Sequence, residues 1–497
     1  MPSYVGIDLG TTFSAVAVLD ETGRPVIVHN RDGENITPSC VLVDGAQMVV
    51  GEDARRQWGI SPDSVGARFK RDMGTDTHYR LNGNQLSPTD LSIAVLKKLK
   101  NDTESAIGTI AEAVVTIPAN FSNEAREATL QAAKEAGLNV RFIINEPTAA
   151  ALYYAFKIGH DLHGTYAVYD LGGGTFDVSI IKVNGQEIEV LVSHGVSRLG
   201  GDDFDGALQK IVSDKYRLQT GKTLHPADYS KNNAEEDKKS LSKREQVVTR
   251  VAQQVIQIQR QEFETVISSL IAQAEMLCES AMDEAGVAPN DLSGVFLVGG
   301  STRVPAVRDS VKRVFAQEPT SSVNVDEVVA LGAALYAAYK SDRKHLSSAQ
   351  QAAVSAIKFS EVTNFCFGTL MTTYDEGRAK RVEANSVIIK KNDKIPCSVT
   401  KPFYTVTDGQ ESVRCVVTQS VAVESDPRFV KTIWEGDLSL PPGRPAGQEI
   451  EITFGFDANN VMTCKFVDVG TRKEVVVDLR PDAKADATIN IDKFLVE

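Results

Sequence analysis

Two acidic glycine loops of one design interrupt apolar runs in this chain, Gly6-Ile7-Asp8-Leu9-Gly10-Thr11-Thr12 and Tyr169-Asp170-Leu171-Gly172-Gly173-Gly174-Thr175-Phe176-Asp177. In each, an Asp leaves the end of a strand-like run, glycines let the backbone turn with its N–H groups exposed, and Thr hydroxyls add donors beside them. Such loops suit phosphate oxygens. Asp8 and Asp170 would face the same triphosphate, so a divalent cation must stand between, and Mg²⁺ keeping its waters fits that place. Neither loop is a Walker A sequence, and a single Asp-x-Gly-x-Thr is equally an ordinary strand-to-hairpin turn. Two copies followed by a third glycine loop read as an ATP clamp.

The third loop is Val295-Phe296-Leu297-Val298-Gly299-Gly300-Ser301-Thr302-Arg303-Val304-Pro305, an apolar strand running into Gly-Gly-Ser and then a helix with Pro305 in its first turn. Gly299, Gly300, Ser301 and Arg303 are its candidates for contact with a nucleoside. Val304, Val307, Val311, Val314 and Phe315 recur at helical spacing and read as core.

Loops of this kind need rigid elements behind them. At 497 residues and 42% hydrophobic content the chain exceeds the size of a single core, so two or more domains are expected. Strands alternate with helices as far as about Lys340: 113–117 is strand-like, 123–136 helical, 142–144 strand and 147–158 helix, the pattern of an α/β domain. The recurrence of strand, Asp-Leu-Gly loop and hairpin is an internal duplication, two similar lobes closing on a ligand. A polar Ser/Gln/Ala-rich stretch spans 341–356, and short alternating runs follow at 387–389, 412–418 and 450–454, so the second domain is β-rich. The expected divisions are 1–340 for nucleotide binding, 341–361 for a linker and 362–497 for the β domain.

Fifty-three basic against 66 acidic residues give a net charge of −13, and no Lys/Arg cluster is interleaved with aromatics, so nucleic acid is excluded as a direct partner. Cys40, Cys278, Cys366, Cys397, Cys415 and Cys464 are scattered without Cys-x-x-Cys or paired His, which reads as reduced thiols rather than a zinc site or disulfide frame. The first loop's strand begins almost at the amino terminus, leaving no room for a signal peptide, and no apolar run is long enough to span a bilayer. A cytoplasmic protein without membrane contact is expected.

Further segments carry a family likeness: Ile143-Ile144-Asn145-Glu146-Pro147-Thr148-Ala149-Ala150-Ala151, Leu199-Gly200-Gly201-Asp202-Asp203-Phe204-Asp205, Val325-Asp326-Glu327-Val328-Val329-Ala330-Leu331-Gly332-Ala333-Ala334, Lys391-Asn392-Asp393-Lys394-Ile395-Pro396 and Phe454-Gly455-Phe456-Asp457-Ala458-Asn459. With these, the chain resembles the 70-kDa heat-shock (DnaK-type) chaperone family over nearly its whole length. The resemblance implies an actin-like (ribonuclease H-like) two-lobed ATPase domain followed by an all-β sandwich that binds apolar peptide segments. Slow hydrolysis of ATP to ADP and phosphate would control peptide affinity. It also implies that Asp8, Glu146 and Asp170 hold Mg²⁺ through water. Thr11, Thr12, Thr175 and the glycines Gly172, Gly173 and Gly174 would hold the nucleotide's phosphate oxygens, and Gly10, Phe13, Gly200, Gly201, Gly299, Gly300, Ser301, Arg303 and Asp326 would also bind the nucleotide. Glu235, Lys238, Lys239 and Ser242 resemble the family's adenosine-contacting helix.

Lys70, in a segment resembling the one that carries the family's essential lysine, would be catalytic together with Glu146, Asp170 and Thr175. A fixed ammonium near the γ-phosphate orients the attacking water and offsets growing charge. The bland reading of the same residues is that Lys70 and Arg71 are a solvated basic pair and Glu146 a first-turn helix acid. Pro118 and Arg126 correspond to the family's interdomain relay, although each alone is only a strand end and a helix-surface charge. Phe403, Val406 and Val413 match its peptide groove, although alternating Val and Phe are also ordinary sandwich core. Implied partners are unfolded polypeptide, a J-domain cochaperone and a nucleotide exchange factor.

The chain also departs from the family. Ile357-Lys358-Phe359-Ser360-Glu361 replaces a leucine-rich linker, which puts interdomain coupling in doubt. The chain stops at Glu497 where a helical lid would begin, so a short form that releases peptide quickly is expected. The segment 216–263 reads as shortened, Phe142 stands where a basic J-domain contact is usual, with Arg141 one place earlier, and Asn120 replaces a usual aromatic. A non-hydrolysing ATP-binding regulator or scaffold of the same fold is therefore the alternative. A small-molecule kinase or filament former of the wider actin-like group would have no use for the β domain.

Overall fold

The computed structural model describes residues 3–159, 162–185, 187–320, 324–355, 357–375, 380–457, 461–478, 491 and 494–497; Ala458 and Asn459 of the quoted segments lie outside them. Each acidic loop is the tip of a hairpin whose first strand is also bonded in parallel to a later one. Strand Ser3–Asp8 runs antiparallel to Phe13–Leu19 and parallel to Ile110–Ile117, which pairs in parallel with Val140–Asn145. His163–Leu171 runs antiparallel to Thr175–Asn184 and parallel to Leu292–Val298, with Glu187–Ser197 beyond. Parallel partners need crossovers, and helices Pro88–Ile107 and Arg260–Ala285 lie on those paths. The internal duplication is thus visible in the strand pairing.

Two apolar clusters sit behind the two sheets, one with Ile7, Val115 and Leu96, the other with Tyr169, Phe176 and Phe204. Helix Val328–Lys340 packs against both strand Ser3–Asp8 and helix Glu146–Ile158. Glycine makes that approach possible: a Cβ on Gly332 would stand 1.7 Å from the Ala149 carbonyl oxygen, and one on Gly6 2.2 Å from the Ala334 nitrogen. Ser122 caps helix Asn123–Glu135 by accepting the Ala125 N–H. Val304, Val307, Val311 and Phe315 are buried core, and Val314 packs against them, as their spacing requires.

The second compact unit begins at Ser360. It holds two four-stranded antiparallel sheets, one with Ser412–Ser420 and Lys431–Ser439, the other with Cys397–Tyr404 and Glu449–Phe456. Their apolar faces share a core around Phe454, Phe466, Ile388 and Leu438. The first unit reaches through Phe359, beyond the expected boundary at 340, because the polar stretch forms a helix, Ser348–Ser355. Gln350 ties that helix down by donating to the Leu19 and Asp20 carbonyls at 2.9 and 3.1 Å. The carboxyl-terminal strand Leu495–Val496 also belongs to the first unit rather than to a β domain running to 497.

Candidate functional site

The hairpin tips meet. A Cβ on Gly173 would fall 1.9 Å from Thr12 Oγ1 and one on Gly174 2.6 Å from the Thr11 methyl, so only glycine lets the loops abut. Gly10 is fixed by its own turn, its N–H donating to Ser14 Oγ at 3.2 Å while Ser39 Oγ donates to its carbonyl at 2.7 Å. The third loop closes on the second: Gly299 has φ 81°, and Ser301 Oγ donates to the Gly172 carbonyl at 2.8 Å. Gly200 backs Gly173, where a Cβ would meet backbone at 2.7 Å.

Together the loops wall a cavity of about 520 Å³, a volume suited to a nucleotide-sized ligand. Asp8, Thr11, Thr12, Thr175 and Gly172 line one part of it, and Glu235, Lys238, Lys239 and Ser242 line another. Gly10, Phe13, Lys70, Glu146, Asp170, Gly173, Gly201, Gly299, Gly300, Ser301, Arg303 and Asp326 also face it, whereas Gly174 and Gly200 stand behind the wall. The guanidinium of Arg55 and the ammonium of Lys239 lie over the Phe13 ring at 5.3 and 5.6 Å. Arg303 bonds Asp326 at 2.7 Å and Asn324 at 3.0 Å.

Lys70 is not a solvated surface cation. It is 4% exposed, and its Nζ donates to Glu146 Oε1 at 2.5 Å. Around this pair the carboxylates are crowded. Burial and the Glu146 charge push Asp8 up to about 7, against Lys70 and the Thr116 hydroxyl, which donates to Asp8 Oδ1 at 2.9 Å. Burial, with Glu146 adding to it, holds Asp170 and Asp177 well above the usual carboxylate range. Each of these acids is disfavoured as an anion by its neighbours and by burial, so a cation brought to the cluster would favour their ionised forms. Among the described residues no three carboxylate or imidazole groups converge closely enough to ligate a bare ion.

Sequence reasoning missed the bridge across the cleft. Arg71 donates to the Gly174 carbonyl at 3.0 Å and to Asp202 and Asp203 at 2.9 and 2.5 Å. Arg68 stacks on Trp58 at 4.3 Å and pairs with Asp202 and, at 3.7 Å, with Asp205. The acidic run was visible in the sequence, but nothing local signals that it faces 68–71. Asp205 is 1% exposed, and burial pushes it up to about 6 against Lys238 and Arg68, with Glu235 adding to the rise. Between the ordinary Asp range and that value the folded protein binds the extra proton, so this group's stabilisation is present below the range and lost as pH rises through 6. Urea unfolding from pH 4 to 6.5 should therefore lose about 2 kcal/mol less in Asp205→Asn than in the unsubstituted chain, whose other raised carboxyls, Asp8 among them, titrate over the same range. An identical slope in the variant would refute the assignment.

Other predicted positions lie apart from the cavity. Pro118 is buried directly after strand Ile110–Ile117, and Arg126 is half-buried on helix Asn123–Glu135. Phe403 and Val413 pack against the β unit's core, whereas Val406 is 37% exposed.

The two acidic glycine loops, the buried lysine and the carboxylates thus wall one cavity. The family model described as "Hsp70 protein" matches residues 4–81 and 76–496. "Chaperone protein DnaK" sequences of Thermotoga petrophila, Thermotoga sp. strain RQ2 and Thermotoga maritima are each 36% identical over 491 residues, covering 95% of this chain and 79% of the relative. The chain belongs to the Hsp70 family. It is an ATP-dependent molecular chaperone and an ATPase, and the non-hydrolysing alternative is not favoured. Members of the family bind ATP or ADP with Mg²⁺ and associate with unfolded polypeptide and cochaperones. Among the described residues no helix is long and apolar enough to cross a membrane.

Proposed function

We propose that the first unit is an actin-like ATPase domain that hydrolyses Mg-ATP in the loop-walled cavity, and that the β-rich unit is a sandwich that binds extended apolar peptide. The observation that carries the catalytic reading is the buried Lys70–Glu146 pair beside the carboxylates of both loops. Thr11, Thr12, Thr175 and the loop N–H groups hold phosphate oxygens, and Glu235, Lys238 and Ser242 take the adenosine. Asp8, Glu146 and Asp170 would hold Mg²⁺ through its waters, a reading supported by the three carboxylates lining one cavity. When bound, that ion neutralises phosphate charge. Lys70 orients the attacking water, and Glu146 fixes the lysine's position and charge.

In the same reading Phe403, Val406 and Val413 belong to the peptide site, exposed Val406 being the one best placed to meet a ligand side chain. Pro118 and Arg126 relay nucleotide state to it, and a J-domain cochaperone and an exchange factor act on the first unit. The cytoplasm is the proposed location. Single-turnover ATP hydrolysis with Mg²⁺, measured with and without an unfolded apolar peptide, tests the coupling. Acceleration of several-fold is expected, and hydrolysis indifferent to saturating peptide would show that the two units do not communicate.

A further inference from the structure

One edge of the first unit carries a contact that the nucleotide cavity does not use. Strand Gln47–Val50 pairs on one side with Cys40–Asp44 and on the other with Leu495–Val496, in parallel, Leu495 opposite Gln47 and Val496 opposite Met48. The Leu495 N–H donates to the Ala46 carbonyl and the Glu497 N–H to that of Met48, both at 2.9 Å, and the Val50 N–H donates to the Glu497 carbonyl at 2.8 Å. Side chains alternate as a half-buried strand requires. Phe494 is 7% exposed, Leu495 58%, and Val496 packs inward. Ile491, 4% exposed, joins Phe494 in the apolar cluster that holds Met48, Val43 and Leu86.

We propose that the Gln47–Val50 edge is a strand-acceptor site and that its occupant is this chain's own Phe494–Glu497, with Ile491 beside it, docked within the same molecule. The chain leaves the first unit after Phe359 and comes back to it in this segment. The first unit thus takes up chain from both before and after the β-rich unit. The docking is also suited to release. A short ladder and the side chains of Ile491, Phe494 and Val496 must offset the ordering of the segment, and when the segment leaves, an unpaired strand edge and an apolar recess are exposed for another extended chain.

Amide hydrogen exchange on the full chain tests this with two variants. Leu495→Pro removes the N–H that bonds Ala46, while the side chain it replaces is largely exposed; Phe494→Ala removes an anchor instead. The reporter is the Val50 amide, which lies on the acceptor strand and is covered only if the segment is docked. We expect its exchange to quicken by about tenfold or more in both variants, with ATP binding unchanged because neither residue lines the cavity. Wild-type rates at Val50 in both variants would overturn the proposal. Sedimentation of the same samples separates the occupants: a monomer supports docking within one molecule. A wild-type dimer that Leu495→Pro dissociates would put a second copy's segment on the edge and overturn it.

Discussion

Lys70→Ala should reduce single-turnover ATP hydrolysis by about 10²- to 10³-fold, the loss typical of removing one fixed group that stabilises developing charge. The ammonium is 4% exposed and bonded to Glu146, so its position is set before nucleotide arrives. Binding should suffer less, because Thr11, Thr12, Glu235 and Lys238 line the cavity independently of it. Truncation also leaves Glu146 buried among Asp8, Asp170 and Asp177 without its cation, and breaking such a pair costs about 3–5 kcal/mol. Stability and chemistry would then fall together, so the informative companion is Lys70→Met with Glu146→Gln, which removes both charges. That double variant should fold and bind ATP yet remain as slow as Lys70→Ala in quench-flow. Wild-type turnover in it would remove Lys70 and Glu146 from the mechanism.

Gly332→Ala should unfold or severely loosen the ATPase unit although its residue touches no ligand. The added methyl would lie 1.7 Å from the Ala149 carbonyl oxygen and 2.4 Å from its carbon. Both obstacles are backbone, so no side chain can turn aside and the helices must part. Overpacking typically costs about 1–3 kcal/mol, and a backbone clash of this kind belongs at or above that upper end. The loss should spread to the cavity, because helix Val328–Lys340 packs on the strand that ends in Asp8 and on the helix that begins with Glu146. Thermal unfolding followed by circular dichroism should fall by about 5 °C or more, with nucleotide affinity declining alongside. An unchanged midpoint would mean that this helix crossing tolerates a Cβ and that the close approach is not a constraint.

The acidic glycine loops at hairpin tips, the helix begun by Pro305 and the β-rich second half were legible in the sequence because their signals are local. A glycine that must turn, a Pro in a first turn and an apolar period of two or 3.6 residues act within a few positions of themselves. Family likeness extended that reading to Lys70 and Glu146, yet the sequence alone left open that Lys70 is a solvated surface cation. Only the closed tertiary structure decided the matter, by bringing residues 76 positions apart to 2.5 Å in a buried cleft. The same holds for Arg68 and Arg71 meeting Asp202, Asp203 and Asp205, for the helix Ser348–Ser355 that Gln350 ties to the first unit, and for the terminal strand beside Gln47–Val50. Backbone preference and periodicity fix an element and the face it buries. Which distant element supplies its partner depends on chain closure, which no short window of sequence contains.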